Sequence, residues 1–274
     1  PVGAYNVALE HVTGSYLVRL DADDELTPGA LARATALLEA HPEVGFVYGR
    51  PCNFQGDELP PAQLHPSTWS IWNGIDWLEL RCRLGVNCMT SPEVVIRASL
   101  QRELGGQLEE LGHTHDMEMW LRAARHAGVG RVNNVDQAFI RIHQESRMRT
   151  LFRSQFLDLE ERHKAFELAL SRSAGRRVPG LDKTARISIA REAIDHVRHA
   201  YERRQTGDES LADFVTLAGE VWPPILCSRA MSGLKARQKV GPTLAPWLPQ
   251  YFASAAIRGL RNRAAYRYWR WSGL

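Results

Sequence analysis

Three carboxylates crowd into four positions in the stretch YLVRLDADDEL: Asp21, Asp23 and Asp24 follow directly on an apolar run. Like charges at the mouth of a buried strand cost stability unless a positive charge offsets them. Carboxylate oxygens converging in this way suit a hard divalent cation, Mg²⁺ or Mn²⁺, bridging to the phosphates of a nucleotide. Such an ion would also neutralise charge on a departing diphosphate. A second group stands in HTHDMEMW, where His113, His115 and Asp116 lead into an amphipathic helix. In the first turn of that helix the macrodipole favours ionised Asp116, the form a general base needs. Its plain alternative is a helix cap. Glu118, two positions along, should point elsewhere. The H-x-H spacing could serve a separate metal site, but no third ligand is evident beside it. Trp69, Trp72 and Trp77 could form a platform for a sugar, although packing under a lid is the simpler reading.

The elements that would position these groups are legible as periodicities. AYNVALEH (4–11) reads as a helix and SYLVRL (15–20) as a buried strand. Thr27-Pro28 is a helix start, with Thr as N-cap and Pro at N1. The helix LARATALLEA stops at His41-Pro42, and VGFVYG (44–49) is the next strand. Strand, acidic turn, helix and strand make an α/β unit, whose ligands bind beyond the carboxyl ends of its strands. Residues 50–80 read as loop, and 89–100 as a strand leading into a turn. Met117, Trp120, Leu121 and Ala124 mark one helical face, which Gly128 should end. VGRVNN and QAFIRIH follow as a pair of strands. From about residue 150 three long helical segments succeed one another, so an α/β part (1–149) is expected before a helical part (150–274).

Composition is that of a globular protein: 274 residues, 44% hydrophobic, 24% charged and a net charge of +3, too small to argue for nucleic acid. Cys52, Cys82, Cys88 and Cys227 form no CxxC pair and read as free thiols of a reducing compartment. No apolar run of membrane-spanning length stands out, and the start does not read as a signal peptide. Together these point to the cytoplasm.

GxxN-x-A at 3–8, a strand, and then LDADDELTPGALARATALLEAHPEVGFVYG closely resemble the middle of family 2 glycosyltransferases. HDMEMWLRAARHAG resembles the family's segment in which a carboxylate pair precedes a W-L-R helix, and FIRIHQES its terminal arginine–x–histidine stretch. The resemblance spans residues 3–146 and implies the GT-A fold, a Rossmann-like α/β sheet. It implies inverting transfer of a sugar from a nucleotide diphosphate sugar to a hydroxyl of a glycan, lipid-linked or small-molecule acceptor. Carried over, Asp21 and Asn6 belong to the donor side. Asp23 is the metal ligand, Asp24 supports the loop, His143 approaches the metal or diphosphate from the opposite side, and Asp116 is the base. Thr90, Ser91 and Trp120 fall on the acceptor side. Two positions depart from the pattern: His115 where the family has a glutamate, and Tyr5 where it often has an arginine. The chain opens at a helix without Met, so a fragment lacking the first strands and a nucleotide-recognising aspartate is expected.

Two rival readings share parts of this pattern. A haloacid dehalogenase-type phosphatase also begins strand–DxD, but Asp24-Glu25 stands where that class has Gly-Thr. A degenerate transferase serving as scaffold or sugar-binding module would keep the fold without the chemistry. The tail AAIRGLRNRAAYRYWRWSGL carries five arginines and no acid. It reads either as a solvated helix face or, over residues 255–274, as a peripheral contact with an anionic membrane, which would put the enzyme on its inner face.

Overall fold

The protein is described by a computed structural model covering residues 2–142, 154–171, 175–207 and 210–272. Chain order begins with α1 (Val2–Glu10), β1 (Tyr16–Leu17), β2 (Glu25–Leu26), α2 (Ala30–Ala40) and β3 (Val44–Phe54). It continues with β4 (Trp69–Trp72), α3 (Gly74–Leu84), β5 (Val94–Arg97), α4 (Ala98–Leu104), α5 (His115–Ala124) and β6 (Gly128–Arg141). After this the described chain is helical: α6 (Gln155–Ser171), α7 (Leu181–Arg203), α8 (Leu211–Val221), α9 (Arg229–Val240) and α10 (Pro249–Ser272).

The sheet is mixed, in the order β1-β5-β3-β6-β2. β3 and β6 run parallel through its centre; β5 is antiparallel to both β1 and β3. β4 pairs with the first half of β6 and β2 with the second half, so the two short strands share one edge. Between the pairs Tyr48–Arg131 and Arg50–Asp136, β3 advances two residues and β6 five. This bulge, with Asn134 at φ 57, bends the sheet where its upper half meets the DADD turn. β6 is thus one bent strand rather than the expected pair.

Other expectations also change. Residues 50–80 are not all loop, since β4 and most of α3 lie there. Asn73 caps α3 by accepting from the Ile75 N–H. Thr27 is not the cap of α2: Gly29 takes that position at φ 75, and the Thr27 hydroxyl donates to the Asp136 carbonyl at 2.6 Å. That bond ties the start of α2 to β6. α5 ends at Ala124, and Gly128 opens β6 instead.

α2 buries Ala34, Leu37 and Leu38 against Val44, Val47, Val132 and Val135 on one face of the sheet. The opposite face belongs to a larger cluster that runs from Phe46, Trp77 and Trp120 to Ile189, Ile194 and Phe214. The helical region therefore shares a continuous apolar core with the sheet. The boundary expected near residue 150 falls outside the described residues. None of the four cysteines is in a disulfide.

Candidate active site

The buried strand expected over 15–20 is only the half-buried pair Tyr16–Leu17, and the acidic turn lies between it and β2. Asp21 and Asp23 are exposed, whereas Asp24 is half-buried. The turn is closed by the Asp24 N–H donating to the Asp21 carbonyl at 3.1 Å. A carboxylate oxygen of Asp24 accepts from the backbone N–H of Arg141, at 3.0 Å. Asp24 thus fastens the turn to the end of β6. Burial, aided by Asp23 and Asp21, pushes its carboxyl up to about 6, against that N–H bond.

Arg19, two residues before the first aspartate, is the hub of the site. Its guanidinium lies 3.4 Å from Asp21, 3.0 Å from His115 Nε2 and 3.2 Å from the Gln107 amide oxygen. It also stands over the Tyr5 ring, 5.8 Å from the centroid. Part of the charge that the aspartates require is therefore built into the segment between β1 and the turn. Burial and Arg19 together drive the His115 pKa down to about 4. The imidazole is neutral, and its Nε2 accepts from Arg19.

Asp116 sits in the first turn of α5, half-buried, and accepts from the Met117 N–H at 2.6 Å. Helix position alone suggests a depressed pKa; instead burial dominates and raises it to about 6, while Arg19 and His113 pull the other way. Near neutral pH the carboxylate is still mostly ionised, yet basic enough to accept a proton. Beside it lies Glu93, 1% exposed, whose carboxyl burial lifts to about 7. It accepts from the Thr90 N–H at 2.6 Å and from the Thr90 hydroxyl.

A backbone scaffold holds these groups. Glu118, the competitor of Asp116, is fully buried in a bidentate pair with Arg122, both contacts at 2.9 Å. Arg122 in turn holds the carbonyls of Leu104 and Gly106. Asn6 clamps the next residue: its amide donates to the Gln107 carbonyl at 3.0 Å and accepts from the Gln107 N–H at 2.8 Å. A Cβ on Gly106 would stand 2.3 Å from the Asn6 oxygen, so this close approach requires glycine. With one N–H and its oxygen engaged by the Gln107 backbone, Asn6 positions the loop that delivers Gln107 to Arg19.

The remaining sequence-derived positions divide. Thr90 is exposed near the carboxyl pair, and Ser91 is buried beside it. Trp120 is 3% exposed and packs on Phe46 at 5.6 Å, so it belongs to the core and offers no surface to an acceptor. The tryptophans form no common platform: Trp77 is core, Trp72 stacks on Tyr48, and Trp69 meets His41. His113 and His115 share no metal, because His113 faces Asp158 at 3.0 Å and His115 faces Arg19. His143 lies outside the described residues. Among the described residues no group of three side chains could by itself hold a metal ion. Exposed Asp21 and Asp23 nonetheless offer hard oxygens of the kind Mg²⁺ or Mn²⁺ takes when phosphate and water supply the other positions.

Sequence reasoning does not single out Arg19, Gln107 or Glu93, and meets Arg141 only as the arginine of the arginine–x–histidine stretch. Arg19 could have been found as the lone charge in SYLVRL, and Glu93 as the acid opening an apolar run.

The sheet, its covering helices and the helical region that follows make a GT-A-like α/β fold. Residues 1–95 match Glycosyl transferase family 2. Among solved structures the chain is similar to S. aureus TarS 1–349 in complex with UDP-GlcNAc. The TM-score is 0.56 and the identity 14%, over 86% of this chain and 69% of that one. No curated protein matches. The family match bears out the family 2 resemblance over residues 1–95, and the structural likeness bears out the α/β fold followed by a helical region. The matched segment contains Asp21, Asp23 and Asp24; Asp116 lies beyond it.

Proposed function

We propose that the protein transfers a sugar from a nucleotide diphosphate sugar to an acceptor hydroxyl, with inversion at the anomeric carbon. The observation that carries this reading is the Arg19 hub, which links the DADD turn to the start of α5, so that Asp21 and Asp116 face a common guanidinium. Asp116 takes the proton of the acceptor hydroxyl as its oxygen forms the bond to the anomeric carbon. The bond from that carbon to the diphosphate oxygen breaks, and the nucleotide leaves with the electron pair. Half-burial keeps the Asp116 carboxylate poorly solvated, hence reactive. Neutral His115 cannot pair with it and leaves it available as the base. Asp23, with Asp21 beside it, would hold Mg²⁺ or Mn²⁺, which supplies charge neutralisation on the diphosphate when bound. The resemblance of FIRIHQES to the family's arginine–x–histidine stretch assigns the place opposite the metal to His143.

The donor class draws support from the TarS structure, which holds UDP-GlcNAc. Nucleotide release from UDP-GlcNAc and other nucleotide sugars, with Mn²⁺, Mg²⁺ or EDTA, tests the reading. Metal-dependent release from at least one donor is expected; none from any would favour a non-catalytic sugar-binding role.

No helix among the described residues is long and apolar enough to cross a membrane. α10 instead exposes Ile257, Leu260 and Tyr268 beside Arg263 and Arg267, while Trp269 donates to the Cys88 carbonyl at 3.1 Å. A peripheral contact with an anionic membrane fits this surface and would bring a lipid-linked acceptor to the 88–93 loop. Flotation with anionic and neutral vesicles, with and without residues 255–274, separates it from a solvated face: equal recovery of both forms ends the membrane reading.

A further inference from the structure

A cavity of about 450 Å³ opens between α6, the loop at 175–180 and the start of α7, and shares no residue with the site above. Its size suits a small molecule. Leu170 and Val178 belong to its apolar lining, which also carries four arginines, Arg125, Arg176, Arg177 and Arg186, and two acids, Glu167 and Asp182. Arg186 and Glu167 stand 3.8 Å apart, a long ion pair that leaves the arginine fork largely unspent. Arg125 is lowered from the ordinary arginine range by burial first and then by the like charge of Arg177.

Two further features point the same way. His163 lines the cavity, and its Nε2 is buried with no hydrogen-bond partner. Burial, and Arg186 working against Glu167, keep the ring below its usual pKa and so neutral. The 23-residue α7 begins at the cavity with Gly180 as N-cap at φ 87 and no side-chain cap, so its positive end opens there.

We propose that this cavity is a binding site for a small organic phosphate, its phosphate held by Arg177, Arg186 and the start of α7 and its apolar body resting on Leu170 and Val178. Guanidinium forks match phosphate oxygens in bidentate fashion, and the net charge of the lining balances a dianion. The site needs no metal, which separates it from the DADD turn.

Phenyl phosphate titrated calorimetrically into the full chain in EDTA tests this, using wild type, Asp23→Ala, Arg177→Glu and Arg186→Glu. The expected result is one equivalent bound by wild type and Asp23→Ala with equal affinity, and at least tenfold weaker binding by both arginine variants. Arg177 is exposed, so its variant should fold; the milder Arg177→Gln serves if thermal unfolding shows otherwise. No binding to wild type, or unchanged binding in the arginine variants, overturns the proposal. Binding lost only in Asp23→Ala would place the ligand at the donor site and overturn it as well.

Discussion

Glu93 should make the folded protein less stable as pH rises, and Glu93→Gln should remove that penalty. The side chain is 1% exposed, and burial lifts its carboxyl from 4.5 to about 7, with ionised Asp116 adding repulsion. The bonds from Thr90 oppose the shift without cancelling it. Because the folded pKa lies above the unfolded one, the folded state holds a proton that the unfolded chain releases. The associated stability is fully present below about pH 4.5 and is lost as pH rises through about 7. The rise from 4.5 to about 7, at roughly 1.4 kcal/mol for each tenfold, corresponds to about 3–4 kcal/mol. The glutamine side chain would keep the shape and an acceptor oxygen for the Thr90 N–H while having nothing to ionise. Urea unfolding followed by tryptophan fluorescence should show the variant gaining about 3–4 kcal/mol on wild type between about pH 4.5 and pH 8. Parallel stability curves for the two proteins would refute the reasoning.

The carboxyl of Asp116 at about 6 predicts that kcat/KM falls about tenfold per unit below that pH. Arg19→Met, which removes a charge that lowers the Asp116 pKa, should move this limb upward by about one unit; an unmoved limb in an active variant would exclude the coupling. Gly74→Ala would place a Cβ 2.0 and 2.1 Å from the carbonyl oxygens of Ala124 and Ala127, so a loss of at least about 3 kcal/mol is expected in thermal or urea unfolding. Asn6→Ala leaves the Gln107 N–H and carbonyl without their partner and should cost about 1–3 kcal/mol, with donor turnover reduced as Gln107 releases Arg19.

α2 and β3 after Asp23 are legible because burial on one face leaves a plain periodicity in short sequence, whereas of the strand expected over 15–20 only Tyr16–Leu17 forms. α5 and the three helices from Gln155 to Val221 are legible for the same reason. What sequence hides is long-range. That Asn6 grips Gln107 across 101 residues leaves no local trace. Thr27 looks like a cap, but its hydroxyl finds Asp136 109 residues away. Trp120 shows the opposite error: its helical spacing is real, yet the face it shares with Met117 is core rather than acceptor wall. For Asp116, the local rule about helix termini gives the wrong sign, since desolvation outweighs the dipole in a half-buried first turn.

The most direct test compares Asp116→Asn with wild type for binding and turnover of a nucleotide sugar that the wild-type protein uses. The account predicts donor affinity within a factor of about two and turnover lower by at least about a hundredfold, the scale of a lost general base. Turnover at the wild-type rate by Asp116→Asn would contradict it.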